Sequence, residues 1–239
     1  MEPQCNVFQA GAVYGQSPAE SGIIGAMKKV ISFDLDGTLV DGRYGDLVWN
    51  HGIPGEYART YGMTFEDAKA LIRSEYESVG DGDILWYEID YWLRKFSLKV
   101  SAAELLDRYT GEIALMPDAF GVVTSLYDRY TLVIASNAAR IFVEKELAHT
   151  GLAGLFSHVV SATTDYGMVK KQEAFFRKLC RELGASFEEV VHVGDHPVFD
   201  HDVPSGLGIE SYYIDGHDCE AALARRRISG LKDLLEVLK

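Results

Sequence analysis

Short apolar runs recur along the chain, and most of them do not alternate with polar residues. The clearest are VISFDL at 30–35, TLVIAS at 131–136, HVVSA at 158–162, VVHVG at 190–194 and SYYID at 211–215. Continuous runs rich in β-branched residues are typical of strands that are buried on both faces of a parallel sheet. The pattern therefore predicts such a sheet at the centre of the protein.

Amphipathic helical patterns lie between these runs, at 118–130, 139–151, 170–184 and the C-terminal LKDLLEVLK. The second and third of these patterns end at Gly151 and Gly184, and glycine is the residue that most often stops a helix. Strands that alternate with helices form right-handed βαβ units. We therefore expect an α/β fold with a doubly wound, Rossmann-like parallel sheet.

Residues 42–116 interrupt this alternation with helical patterns alone. Capping-box-like sequences begin at Thr64 and Ser101, and ILWYEIDYWLRKFS at 84–97 reads as a further helix. About 75 residues are too many for an ordinary connection between a strand and a helix. We expect a small helical domain at 42–116, inserted after the first strand into an α/β core made of 27–41 and 117–239.

Composition and charge exclude several classes of protein. No stretch reaches 18 consecutive apolar residues, and the formal net charge of −13 repels polyanions, so neither a membrane nor a nucleic-acid partner is expected. The three cysteines form no C-x-x-C pair, which favours a reducing cytoplasm. Residues 1–26 are rich in Gly, Ser, Pro and Gln without apolar periodicity, so we expect a disordered extension. A monomer or weak dimer is expected.

Polar residues follow the predicted strands, and in open α/β sheets such positions meet at one edge, where ligands bind. They are Asp34, Asp36 and Thr38, then Ser136 and Asn137, then Lys170 and Lys171, and finally Asp195 and Asp200. Two carboxylates about 4 Å apart repel each other by roughly 4 kcal/mol at an effective dielectric constant near 20. A cluster of four therefore requires a compensating cation, and its oxygen ligands favour Mg²⁺ over zinc.

D-L-D-G-T at 34–38, a strand-terminal serine, a lysine and G-D-x-x-x-x-D at 194–200 together resemble the four motifs of the haloacid dehalogenase-like (HAD) superfamily. The resemblance covers residues 28–239 and implies a Mg²⁺-dependent phosphatase that hydrolyses a small phosphorylated metabolite. It further implies that the helical block is a cap that closes over the substrate.

The resemblance also implies a role for each motif residue. Asp34 would be the nucleophile that forms an aspartyl-phosphate, and Asp36 the general acid and base. The expected phosphate-binding residues are Thr38, Ser136, Asn137 and Lys170, with Lys170 also neutralising charge. The expected metal ligands are Asp34, Asp36 and Asp195, with Asp200 as a further ligand or a partner of one.

Several alternatives stay open at this point. Lys171 is the alternative to Lys170. We prefer Lys170, because Phe176 then lies at the spacing of the family's downstream aromatic residue. Asp202 is the rival of Asp200. The three tryptophans are expected in the core of the helical block, with a substrate-facing role as the alternative. His192 is expected to be a hydrogen-bonded core residue.

Other functions could use some of the same residues. A 2-haloacid dehalogenase would use the same nucleophile, but dehalogenases resemble D-x-Y-G-T and have no use for a second acid at Asp36. Other hydrolases of the superfamily remain possible. A receiver-like domain is about half this length, and a catalytically idle phosphate-binding protein would not require all four motifs.

Overall fold

The computed structural model describes residues 27–214 and 226–239. The predicted extension at 1–26 and Asp215, the last residue of the fifth predicted strand, lie outside these ranges. The strands are β1 (Val30–Phe33), β2 (Thr131–Ser136), β3 (His158–Ser161), β4 (Val190–Gly194), β5 (Glu210–Ile214) and β6 (Arg227–Ile228). All five apolar runs therefore form strands where the sequence predicts them, and β6 is an additional strand of only two residues.

The strands form one sheet in the order β3-β2-β1-β4-β5-β6, and every neighbouring pair is parallel. The chain moves outward from β1 through β2 to β3, then returns to place β4 on the other side of β1. The order of the strands thus reverses between β1 and β4, which is where ligands bind in sheets of this kind. The predicted doubly wound α/β fold is confirmed.

The helices flank the sheet or lie in the segment between β1 and β2. They are α1 (Arg43–Leu47), α2 (Ile53–Tyr61), α3 (Phe65–Val79), α4 (Ile89–Lys95), α5 (Ala102–Asp107), α6 (Ala119–Tyr127), α7 (Arg140–Thr150), α8 (Ala162–Tyr166), α9 (Glu173–Leu183), α10 (Val203–Gly206) and α11 (Leu234–Val237). Two π-helical turns, Val48–Gly52 and Pro197–Asp202, lead directly into α2 and α10. Turns of this type are rare and are frequent at functional sites.

Apolar side chains cover both faces of the sheet. On one face Phe33 and Ile134 pack with α6 and α7, and on the other Val133 and Ala135 pack with the phenylalanines of α9. Neighbouring residues of one strand point to opposite faces, so β1, β2, β3 and β4 contribute to both clusters. Burial on two faces explains why the strand sequences lack alternation.

The segment at 42–116, which we call the helical insertion, contains helices and turns and no strand among its residues. Ser101 and Glu104 form the predicted capping box at the start of α5. The insertion shares one apolar cluster with the sheet, since Tyr44 and Trp92 belong to the same cluster as Phe33 of β1. Its division from the core as a separate domain stays a prediction.

Two predicted helices differ from the observed ones. The helix expected over 84–97 is divided, because Glu88 adopts an extended conformation between the turn Ile84–Tyr87 and α4. The helix expected from residue 170 begins at Glu173, because Lys170 has a left-handed φ of 66° that a helix does not accommodate.

No helix within 27–214 or 226–239 has the length and apolar character needed to cross a membrane.

Candidate active site

The carboxyl ends of β1 and β4 bring the first and fourth motifs together. Phe33 pairs with Val193 in the sheet, and the backbone N–H of Asp34 donates to the carbonyl of Val193 at 2.8 Å. Asp34 and Asp195 therefore leave adjacent strands at the same edge, where the strand order reverses. The side chain of Asp34 is buried, and the Thr38 hydroxyl donates to it at 3.4 Å.

Lys171 lies at the centre of this edge with its side chain fully buried. Its ammonium contacts the carboxylate of Asp34, approaches the carboxylate of Asp200 at 2.5 Å and donates to the carbonyl of Ala135 at 2.9 Å. The two carboxylates keep the pKa of Lys171 raised, against the opposite effect of burial. One buried ammonium thus joins the first and fourth motifs.

The prediction that Lys170 occupies this position is wrong. Its ammonium points to the helical insertion, where it pairs with the exposed Asp81 at 2.5 Å, and it lies 5.5 Å from the centre of the Phe199 ring. The physical reason is the left-handed φ of Lys170, which turns the backbone so that the following side chain, Lys171, enters the site. The family spacing to an aromatic residue was a poor guide, because Phe175 and Phe176 are both fully buried.

The buried side chain of Asp200 is held in place on three sides. It accepts from the backbone N–H of His196 at 3.0 Å, lies 3.0 Å from Nε2 of His192 and pairs with Lys171. The π-helical turn Pro197–Asp202 directs it inward, whereas Asp202 is exposed and pairs with His201. Asp200 rather than Asp202 therefore belongs to the site.

His192 is a hydrogen-bonded core residue, as expected from the sequence. Its second nitrogen lies 3.0 Å from the hydroxyl of Ser32 on β1, and burial lowers its pKa. The neutral ring thus connects the interior of the sheet with Asp200.

Three of the four carboxylates could hold a metal ion. Asp34, Asp195 and Asp200 each offer an oxygen, and these oxygens all lie within 4.8 Å of one another. Burial first, and then the neighbouring carboxylates, raise the pKa of Asp195 to about 6, and burial raises that of Asp34 as well. Lys171 lowers the pKa of Asp200 against the effect of burial, but one lysine does not do the same for Asp34 and Asp195, and a hard divalent cation such as Mg²⁺ fits the oxygen donors of the cluster.

Gly37 brings the first motif against Asp195. A Cβ at this position would lie 2.1 Å from Oδ2 of Asp195, and the φ of Gly37 is 81°. Both the space and the backbone conformation therefore require glycine. The G in D-L-D-G-T has a packing reason as well as a conformational one.

Asp36 lies beside a buried acid that the sequence analysis did not single out. Burial raises the pKa of Asp36 to about 6, and that of Glu146 on α7 to about 10, with the nearby charge of Asp36 as the second cause for Glu146. The side chains of Glu146 and Asp36 interact, but among the described residues neither oxygen of Glu146 has a partner in ordinary hydrogen-bond geometry. The sequence could have indicated this buried acid, because Glu146 lies on the apolar side of α7 with Phe142 and Val143.

The second motif lies at the end of β2. The buried hydroxyl of Ser136 accepts from the backbone N–H of Ala138 at 3.0 Å, and the side-chain oxygen of Asn137 is buried without a partner among the described residues. Register pairing in the sheet places Ser136 beside Ser161 of β3. Both predicted residues of this motif thus lie at the same edge of the sheet as Asp34.

A cavity of about 380 Å³ opens next to Asp36, between the helical insertion and the second motif. Trp49 and Trp86 of the insertion line it, whereas Trp92 is fully buried. The expectation that the tryptophans form the core of the helical block holds for Trp92, whereas Trp49 and Trp86 are partly buried against the same cluster and also line the cavity. A substrate-facing role for them stays a prediction.

A buried carboxylate paired with lysine thus lies beside further carboxylates that could hold a metal, at the reversal point of a Rossmann-like sheet. The chain belongs to the haloacid dehalogenase-like hydrolase family, whose model matches residues 28–202. The family predicted from the motifs is confirmed.

Named relatives and solved structures agree with this assignment. The GMP/IMP nucleotidase YrfG of Escherichia coli is 24% identical over 167 residues, which cover 69% of this chain and 73% of that protein. A HAD phosphatase from Thermococcus onnurineus has a TM-score of 0.77 and 25% identity over 89% of this chain and 98% of its own. A 2-haloacid dehalogenase from Pseudomonas syringae shares the fold, with a TM-score of 0.61 and 21% identity over 89% and 98%.

Proposed function

We propose that this hydrolase is a Mg²⁺-dependent phosphatase that acts on a small phosphorylated metabolite through an aspartyl-phosphate intermediate. The observation that carries the proposal is the position of Asp34. Its buried carboxylate contacts the ammonium of Lys171 and shares a possible metal site with Asp195 and Asp200. A carboxylate is a suitable nucleophile towards phosphorus when its charge is balanced in this way.

In the first step an oxygen of Asp34 forms a bond to phosphorus while the bond from phosphorus to the leaving oxygen breaks. Asp36 donates its proton to that oxygen, so an alcohol leaves. In the second step Asp36 takes a proton from water, which attacks the phosphorus and releases inorganic phosphate and the free carboxylate of Asp34. Because burial raises the pKa of Asp36 to about 6, both its protonation states are accessible near neutral pH.

The oxygens of the phosphoryl group would be held by the ammonium of Lys171, the hydroxyls of Ser136 and Thr38, and the backbone N–H of Asn137. Asp34, Asp195 and Asp200 would hold Mg²⁺, with Asp36 contributing through its backbone carbonyl. The bound ion would supply positive charge to the phosphoryl oxygens. Asp200 also orients Lys171, so one carboxylate serves both parts of the site.

The helical insertion would act as a cap that excludes water from the reaction. Lys170 supports this role, because its ion pair with Asp81 links the insertion to the loop that carries Lys171. A cytoplasmic location and a monomeric or weakly dimeric state remain part of the proposal.

The named activities of the E. coli nucleotidase and the archaeal phosphatase support phosphoric ester hydrolysis. The dehalogenase neighbours share the fold alone, and a dehalogenase would have no use for the acid at Asp36. Phosphatase activity is therefore preferred over dehalogenation.

Hydrolysis of p-nitrophenyl phosphate tests the proposal. We expect activity that requires Mg²⁺ and disappears in Asp34→Asn. Asp202→Asn is the matched control, because Asp202 is an exposed acid outside the carboxylate cluster, and this variant should keep its activity. Turnover without a metal, full activity in Asp34→Asn, or release of halide from a 2-haloacid would contradict the proposal.

A further inference from the structure

The cavity beside Asp36 is positioned to receive the leaving group of the reaction. It is lined by Asp36 at one end and by Ala138 and Ala139, which directly follow the second motif. A phosphoryl group attached to Asp34 would thus direct the rest of the substrate into this space. Its volume of about 380 Å³ lies within the range of small-molecule sites and exceeds what a two-carbon acid requires.

Five of the eleven residues that line the cavity are aromatic. Trp49 stacks on Phe142 with ring centres 5.7 Å apart and an angle of 13°, and Tyr76 contacts both Trp49 and Trp86. Trp49, Trp86 and Tyr87 are half-buried, so part of each ring remains available to a ligand. The π-helical turn Val48–Gly52 carries Trp49 to this position.

The charges of the wall exclude one class of leaving group. Among the described residues that line the cavity there is no Lys, Arg or His, and the one charged group is the carboxyl of Asp36. An acidic leaving group, such as glycolate, would bury its carboxylate without a cationic partner, which is costly. The cavity therefore suits an uncharged leaving group.

Three side chains with an amide or hydroxyl group line the cavity, and each already donates a hydrogen bond within the protein, as Asn50 does to Asp46, which argues against a sugar with many hydroxyls. The hydroxyl of Tyr76 donates to the carbonyl of Trp49, and that of Tyr87 donates to the carbonyl of Asp81. These tyrosines thus offer rings rather than free hydroxyls. Flat aromatic ligands stack on such rings, and base stacking on aromatic side chains is favourable whichever base is present.

From the size, aromatic wall and lack of basic residues, we propose that the cavity binds the base of a nucleoside 5′-monophosphate, with Trp49 and Trp86 as the specificity-determining residues. This inference rests on the proposed phosphatase activity and adds the substrate class. The base would contact the rings, the ribose would lie between them and Asp36, and the nucleoside would leave as the alcohol.

The test compares nucleoside 5′-monophosphates with ribose 5-phosphate, which presents a similar primary phosphate ester but lacks the base. We expect kcat/KM to be at least about tenfold higher for adenosine, inosine and uridine monophosphates than for ribose 5-phosphate. Adenosine without phosphate should inhibit competitively, and ribose should not. Phosphoglycolate is included as the acidic substrate and should be the poorest.

Substitutions in the wall of the cavity test whether its residues cause the preference for nucleotides over ribose 5-phosphate. Trp49→Leu and Trp86→Leu should each lower the ratio of kcat/KM for nucleotide over ribose 5-phosphate by about fivefold or more, whereas Tyr127→Leu, which removes an exposed aromatic residue of α6, should not change it. Gly45→Leu should also lower the ratio, because Gly45 lines the cavity and a Cβ there meets no atom within 4 Å. Gly55→Leu, an equally open helical position outside the wall, is its control.

The outcomes separate this inference from the proposed function. Equal kcat/KM for nucleotides and ribose 5-phosphate, a preference for phosphoglycolate, or unchanged ratios in all three wall variants would overturn the inference and leave the phosphatase proposal intact. Failure to hydrolyse any of these esters or p-nitrophenyl phosphate would overturn both. Inhibition of the wild-type enzyme by adenosine does not depend on whether the variants fold.

Discussion

Replacing Lys171 by methionine would remove the single buried ammonium of the site while keeping most of the volume of the side chain. Lys170→Met is the matched control, because it removes the neighbouring charge from a partly exposed position. The ammonium of Lys171 lies between two buried carboxylates, those of Asp34 and Asp200, whereas that of Lys170 pairs with the exposed Asp81. The two variants therefore differ in which carboxylates lose their partner.

The magnitude follows from the distance between the carboxylates. The oxygens of Asp34 and Asp200 lie within 4.8 Å, so without Lys171 they repel each other by about 3.5 kcal/mol at an effective dielectric constant near 20. Burial already raises the pKa of Asp34, and the unbalanced charge of Asp200 raises that pKa further once Lys171 is removed. Losing the same free energy from the stabilisation of the transition state would slow the reaction by a few hundredfold.

The assay is hydrolysis of p-nitrophenyl phosphate at saturating Mg²⁺ over a range of pH. Lys171→Met should lose activity by about two to three orders of magnitude at pH 7, and its remaining activity should rise with pH, since higher pH ionises a carboxyl whose pKa is raised. Lys170→Met should stay within about threefold of the wild type, because exposed ion pairs contribute little. Circular dichroism checks folding. The opposite order of the two variants would refute the reasoning.

Two further predictions concern Gly37 and Glu146. Gly37→Ala should lose most activity and about 1–3 kcal/mol of the free energy of unfolding, because the added methyl would meet the carboxylate of Asp195 at a left-handed backbone position; wild-type activity would show that the loop can move aside. The folded-state pKa of Glu146 is about 10, above its value in the unfolded chain, so its contribution to stability is lost as pH rises between these values. The free energy of unfolding of Glu146→Gln, relative to that of the wild type, should therefore rise by up to about 1.4 kcal/mol per pH unit, as measured by urea unfolding at pH 6, 7 and 8. A difference that stays constant with pH would contradict the raised pKa.

Much of the fold was predictable because it depends on local sequence. Strands buried on two faces need continuous apolar residues, so the ends of β2 and β4 coincide with the apolar runs that predicted them. Glycine ends α7 and α9 as expected, in the left-handed conformation that glycine adopts easily. The short strand β6 carried no such signal, since two residues in a parallel pair show no periodicity.

The motif carboxylates were predictable for a related reason. Residues that directly follow parallel strands lie at one edge of the sheet whatever the details of packing. The sequence therefore predicted that Asp34, Asp195 and Asp200 lie close together. The structure places one oxygen of each within 4.8 Å of the others, close enough to hold one ion. Their chemical roles stay a proposal until they are tested by substitution.

The sequence by itself determined the α/β class, the family and the carboxylate cluster, because strand burial and motif order are properties of the chain. Only the tertiary structure decided which of two adjacent lysines enters the site, since Lys170, with its left-handed φ, pairs with Asp81 while Lys171 reaches Asp34. Only the tertiary structure, likewise, brought Trp49 and Trp86 to one wall and Glu146 beside Asp36. These contacts join segments far apart in sequence, and no local pattern encodes the distance between them.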